Sequence, residues 1–127
     1  MIIGNNVRLR AIEREDAPRF VRWLNDPEVR RHLLVIAPLS LAGEEKWVAR
    51  MQELPPHEQV LAIEAFDQDQ WVHVGNTGLH SHDWINRHAE FCILIGEKQY
   101  WGRGIGLEAA RLMLHYGFDT LNLTGFT

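Results

Sequence analysis

The chain has 127 residues, of which 46% are hydrophobic and 24% charged. That balance describes one globular domain over 1–127 with a core of its own, and excludes collagen, coiled coil and whole-chain disorder. Thirteen Lys and Arg against 17 Asp and Glu leave a net charge of −4, so nucleic-acid binding driven by phosphate neutralisation is not expected. The lone cysteine, Cys92, forms no internal disulfide and sits in the apolar run Phe91 to Ile95, where it reads as a buried strand residue without an activating partner. The N-terminus lacks the basic and long apolar regions of a signal peptide, and no apolar run is long enough to span a membrane. The expectation is a cytoplasmic protein without a membrane partner.

Val7, Leu9 and Ala11 alternate with Arg8 and Arg10, which predicts a half-buried strand. Glu13 to Leu24 carries Ala17, Phe20, Val21 and Leu24 at helical spacing, and Asn25-Asp26-Pro27 stops it. Asp26 before Pro27 predicts a short helix over 27–33, and Pro38 breaks the apolar stretch after it. Ser40 caps a further helix over 40–53, with Leu41, Trp47, Val48 and Met51 among its apolar positions. Gln59 to Phe66 and Trp71 to His80 flank the polar turn 67–70 and predict a hairpin. Gly75 and Gly78 in the second arm mark a bulge or a close backbone approach. A loop over 81–87 leads to a strand over 89–96. A glycine-rich turn follows at 99–106, then a helix over 105–118 with Ile105, Ala109, Leu112, Met113 and Tyr116 on one face. Leu121-Asn122-Leu123 reads as extended. The fold class is α+β with a mixed sheet, holding one parallel pair across the last helix.

The strand, glycine turn and helix between Ala89 and Phe118 hold the strongest chemical signal. Gly102, Gly104 and Gly106 let backbone N–H groups turn inward beside a helix N-terminus, an arrangement that favours phosphate, with Arg103 as a cationic addition. A P-loop fails, because Gly106 is followed by Leu107-Glu108 rather than Lys-Ser/Thr. Gly104-x-Gly106-x-x-Ala109 fits a dinucleotide fingerprint, but only 18 residues follow it, too few for the remaining sheet. A pyrophosphate loop for acyl-CoA, or a tight turn that merely permits close packing, stays open on the motif alone.

The segment Ala89 to Ala109 resembles the GNAT superfamily of acetyltransferases, most nearly the branch of ribosomal-protein N-terminal acetyltransferases (the RimJ/RimL type). Arg8-Leu9-Arg10-Ala11, Glu15-Asp16-Ala17, Trp23 to Val29 and Gly75 to Leu79 agree with it in order. Trp101 departs from it, standing where many such loops carry Gln or Arg. The resemblance implies a three-layer α/β/α fold and transfer of an acetyl group from acetyl-CoA to a primary amine by direct attack. The acceptor would be a protein N-terminus or a small-molecule amine. It implies that pantetheine lies along Phe91, Cys92, Ile93, Leu94 and Ile95. The pyrophosphate would sit on Trp101, Gly102, Arg103, Gly104, Ile105, Gly106 and Leu107, and a backbone N–H near Ile93 or Leu94 would polarise the thioester. No metal is needed.

Glu90 is the candidate base, with His80 and His82 as possible helpers. The spacing of His80, His82, Asp83 and His88 matches no zinc pattern. The five tryptophans read first as core or rim packing, with Trp47 and Trp84 the candidates to face an acceptor. The family continues past the strand near 121–123 with a helix and two strands that carry the group protonating the thiolate. The expectation is therefore a C-terminally incomplete domain that pairs as a homodimer. The alternative is a catalytically weak acyl-CoA-binding module.

Overall fold

Six strands line up in sequence order in one sheet: β1 (Ile2–Ile3), β2 (Val7–Ala11), β3 (Leu61–Asp67), β4 (Gln70–Asp83), β5 (His88–Ile95) and β6 (Gly125–Phe126). The computed structural model describes residues 1–32 and 38–126. Every neighbouring pair is antiparallel except β5 and β6, which run parallel. Helices α1 (Ala17–Leu24) and α2 (Leu41–Gln52) cover one face and α3 (Ile105–His115) the other, giving the three layers expected.

The alternation in β2 sorts the two faces. Val7 and Leu9 are fully buried and join Ile63, Val74 and Leu79 beneath Ile105, Ala109 and Met113 of α3. Arg8 and Arg10 point the other way, toward the face that Phe20, Trp23, Val48 and Met51 cover. Fully burying each of those aromatic side chains contributes about 1.5–3 kcal/mol. Ser40 caps α2 as its sequence predicts, its Oγ accepting from the Gly43 N–H at 3.0 Å.

Several boundaries differ from the sequence reading. The helix expected over 13–24 opens as a 3₁₀ turn at Arg14–Asp16, because the Asp16 carboxylate accepts from the Glu13 N–H at 2.8 Å and tightens the entry. Only a 3₁₀ turn at Arg30–His32 represents the helix expected over 27–33, and Leu33 lies outside the described residues. β4 runs on to Asp83 past an irregularity after His80, so the expected loop over 81–87 contracts to a turn. The last helix ends at His115 and widens into a π turn over Tyr116–Thr120, where the Phe126 ring lies too close to Gly117 for a side chain there. Leu121 to Leu123 does not form the strand; Leu123 drops into the core and pairing begins at Gly125. β1 was not anticipated, since two residues show no alternation.

The β3–β4 register shifts between Ile63 and Glu64, opposite Val74, which is the bulge that Gly75 suggested. The Val74 carbonyl accepts from the N–H groups of Gly96 (2.8 Å) and Glu97 (3.1 Å), and the Leu94 carbonyl crowds Gly75. At this point β5 is drawn tight against β4.

Candidate functional site

β5 and β6 meet only at His88–Gly125 and Ala89–Phe126. Beyond Ala89 no described strand pairs with the far edge of β5. Three contacts fix which residues use that edge. Gly96 N–H turns toward β4 to reach Val74, and the Cys92 carbonyl accepts from Thr77 Oγ1 at 2.8 Å across the β4 side. The Ile95 carbonyl instead accepts from Trp101 Nε1 at 2.7 Å. Backbone direction alternates along an antiparallel strand, so Phe91, Ile93 and Ile95 direct their polar groups away from β4.

The glycine turn borders the end of this edge. Gly102 (φ 74°) and Gly104 (φ 78°) both hold the left-handed conformation that glycine tolerates, and no protein atom lies within 4 Å of a side chain placed on either. Their requirement is conformational, and the surface they form is open. Gly104 is the N-cap of α3 and offers no side-chain oxygen, so the first-turn N–H groups of Ile105, Gly106 and Leu107 present themselves as donors. A methyl group placed on Gly106 would meet Ile95 at 3.7 Å and Ile93 at 4.0 Å, so the first turn of α3 lies close over β5. Arg103 stacks over the Tyr100 ring at 4.8 Å, with Asp67 3.9 Å from its guanidinium, and Tyr100 Oη donates to Asp67 at 2.9 Å. That hydrogen bond pushes the Tyr100 pKa up. The sequence-predicted residues 91–95 and 101–107 are thus brought to one continuous edge and turn.

On the α1/α2 side of β5 lies a cavity of about 350 Å³, lined mainly by Phe20, Leu24, Trp47, Val60 and the β5 residues Cys92 to Leu94. Glu44 of α2 also lines it and is 8% exposed. Burial pushes its carboxyl up, opposed only in part by the charge of Arg50. Nothing in the sequence marks Glu44, because it sits in a charged stretch of helix beside Glu45 and Lys46. Burial likewise raises the Cys92 pKa and keeps the thiol protonated.

Glu90 and His80 lie opposite each other on β5 and β4, both about half exposed, with Oε2 2.8 Å from Nε2. Neither lines that cavity, though both share its face of the sheet. His82 stacks on Trp84 at 5.0 Å, near His57, and His88 lies by Gly125. Among the described residues no three His, Cys, Asp or Glu side chains converge as metal ligands. Trp47 borders the cavity as anticipated, whereas the half-exposed Trp84 does not. Trp23 is core, and its Nε1 donates to Glu97 at 2.7 Å.

The comparisons with known proteins give the family of this fold. Residues 6–127 match the acetyltransferase (GNAT) domain family. The chain belongs to that family. An "Uncharacterized N-acetyltransferase p20" of Bacillus licheniformis is 26% identical over 115 residues, covering 91% of this chain and 64% of that protein. The spermidine N-acetyltransferase of Vibrio cholerae, solved in complex with CoA and spermine, superposes with a TM-score of 0.76 at 25% identity, over 94% of this chain and 68% of that one. A ribosomal-protein-serine acetyltransferase structure from Vibrio cholerae shares the fold, with a TM-score of 0.76 at 18% identity over 97% of this chain and 69% of that one. This GNAT domain thus spans about two thirds of the length of these relatives.

Proposed function

We propose that this GNAT domain transfers an acetyl group from acetyl-CoA to a primary amine by direct attack. The observation that carries the reading is the unpaired edge of β5, with Phe91 and Ile93 facing outward beside the N-terminus of α3 and the Ile95 carbonyl held by Trp101. Pantetheine adds to that edge as a strand would. The pyrophosphate lies on the backbone of Trp101 to Leu107, where helix N–H donors and the positive end of the helix dipole favour it. The Ile93 N–H polarises the thioester carbonyl. The amine nitrogen attacks that carbon, the C–S bond breaks with its electron pair leaving on sulfur, and the proton that nitrogen gives up ends on the CoA thiolate. Holding amine and thioester together supplies most of the rate.

The acceptor is a small-molecule amine or a protein N-terminus. The Vibrio cholerae relative named for spermidine supports the amine class. A homodimer acting in the cytoplasm belongs to the same reading, and a monomer in light scattering at micromolar concentration would count against the dimer.

Stabilisation in a thermal-shift assay with acetyl-CoA, followed by thiol release with a panel of primary amines, tests the function. No shift with acetyl-CoA or CoA overturns the reading. Binding without thiol release for any amine leaves an acyl-CoA-binding module instead.

A further inference from the structure

Four carboxylates are buried among the described residues: Asp16, Glu44, Glu64 and Glu97. Three are fully engaged. Asp16 accepts a two-pronged pair from Arg10 (2.8 and 2.9 Å) and a further bond from Arg19. Glu64 accepts from Arg8 at 2.6 Å and from Arg10 at 2.8 Å. Glu97 is held by Arg22 and by the Trp23 indole. Glu44 makes no side-chain hydrogen bond or ion pair with any described residue, although it is as buried as Glu64. Its carboxylate oxygens are not enclosed by packed protein and open on the cavity, where an unpaired carboxylate on a largely buried stem is placed to take a cationic ligand.

Its position says which ligand. Glu44 stands one turn before Trp47 on the same side of α2, and both line the cavity that ends on Cys92 to Leu94. The cavity is mostly apolar, with Asn76 and Thr77 as further polar lining, and the Thr77 hydroxyl is already committed to the Cys92 carbonyl. Its volume, about 350 Å³, falls at the small end of ligand sites. An aliphatic primary amine, with a pKa near about 10.4, arrives as an ammonium and cannot attack until it sheds a proton.

We infer that Glu44 selects the acceptor as a protonated aliphatic primary amine on a slender apolar stem, and then takes up the proton that the amine must lose. The inference rests on the acetyl-transfer reading and names the acceptor class for it. The carboxylate draws the ammonium into the cavity, with the stem against Phe20, Leu24 and Trp47. One proton passes from nitrogen to a Glu44 carboxylate oxygen, the freed lone pair forms the N–C bond as C–S breaks, and the second proton leaves nitrogen for the CoA thiolate sulfur as the amide forms. Burial makes this carboxylate more basic than a surface one and so a better proton acceptor.

Two measurements on the whole chain test this. Titrating an n-alkylammonium and its isosteric alcohol into the protein, without acetyl-CoA, reads recognition alone. The wild type binds the cation about tenfold more tightly than the alcohol, and Glu44→Gln removes that preference. No cation preference in the wild type, or a preference unchanged in Glu44→Gln, overturns the inference even where acetyl transfer occurs. A preference that stands while no amine is acetylated overturns the function instead.

In turnover at pH 7, Glu44→Gln lowers kcat/KM for the alkylamine about 100-fold while acetyl-CoA affinity is kept. The deficit shrinks at pH 10, where much of the amine arrives neutral, and is small for a weakly basic arylamine. Glu44→Asp recovers part of the loss. A deficit equal at both pH values and for both amines marks a structural role and overturns the proposal. So does finding this pH-dependent deficit in Glu90→Gln rather than in Glu44→Gln.

Discussion

The two faces of the sheet are built on opposite plans. Beneath α3 the contacts are apolar: Val7, Leu9, Ile63, Val74, Leu79 and Met113 are at most 2% exposed. Beneath α1 and α2, aromatic side chains share the space with ions. Asp16 binds Arg10 and Arg19, Glu64 binds Arg8 and Arg10, and His73 accepts from Arg19 at Nδ1 while its Nε2 lies 2.9 Å from the Gly75 carbonyl. Burial lowers the His73 pKa, consistent with a neutral ring held between two fixed partners. The apolar face tolerates small errors of geometry, since dispersion and burial are not directional. The ionic face does not, and it is the face that holds the cavity beside β5.

The comparison can be broken most severely at Asp16. Asp16→Ala removes the fully buried carboxylate shared by Arg10, Arg19 and the Glu13 N–H, leaves Arg10 with Glu64 alone, and should lower stability by about 3–5 kcal/mol, measured by urea denaturation. A loss below about 1 kcal/mol would mean that the network is decorative. On the other face, Met113→Ala removes a buried side chain without stranding a charge and should cost about 2–4 kcal/mol in the same assay. A larger loss there than at Asp16 would reverse the ranking.

Acid separates the faces without mutation. Burial alone would raise the Asp16 pKa, but Arg10 and the Glu13 N–H hold it at about 2, below the ordinary 3.8. A lowered folded-state value gives stability that is full above the unfolded pKa and is lost as pH falls through the folded one. About 2 kcal/mol should therefore disappear between pH 4 and pH 2, and Asp16→Asn should lack that limb. The smallest effect concerns the turn. Gly104→Val should weaken CoA binding by about tenfold or more in calorimetry below the variant's melting temperature, because a side chain would stand where phosphate must approach the backbone. Retained affinity would detach the phosphate from this turn.

Much of this architecture was readable from residue order. Period-two alternation gave β2, apolar runs flanking a polar turn and preceding the glycines gave β3 and β5, the Ser40 cap gave α2, and three closely spaced glycines after a strand gave the turn and the start of α3. The irregular joints were not readable: the 3₁₀ entry at Asp16, the extension of β4 to Asp83 and the π turn at Gly117 answer to partners distant in sequence. The same holds for the site. Residues 91–95 and 101–107 lie close along the chain, so the glycine motif and the family resemblance could propose them together.

Glu44 gave no such signal, because its meaning depends on Phe20, Val60 and Leu94 closing around it. Local sequence by itself determined the elements and the turn, since propensity, capping and left-handed glycines act over a few residues. Tertiary structure alone decided where β5 parts from β6, and which of the chain's 17 carboxylates is buried without a described partner. Both are properties of surfaces brought together from remote segments, and burial is not encoded by any one of them.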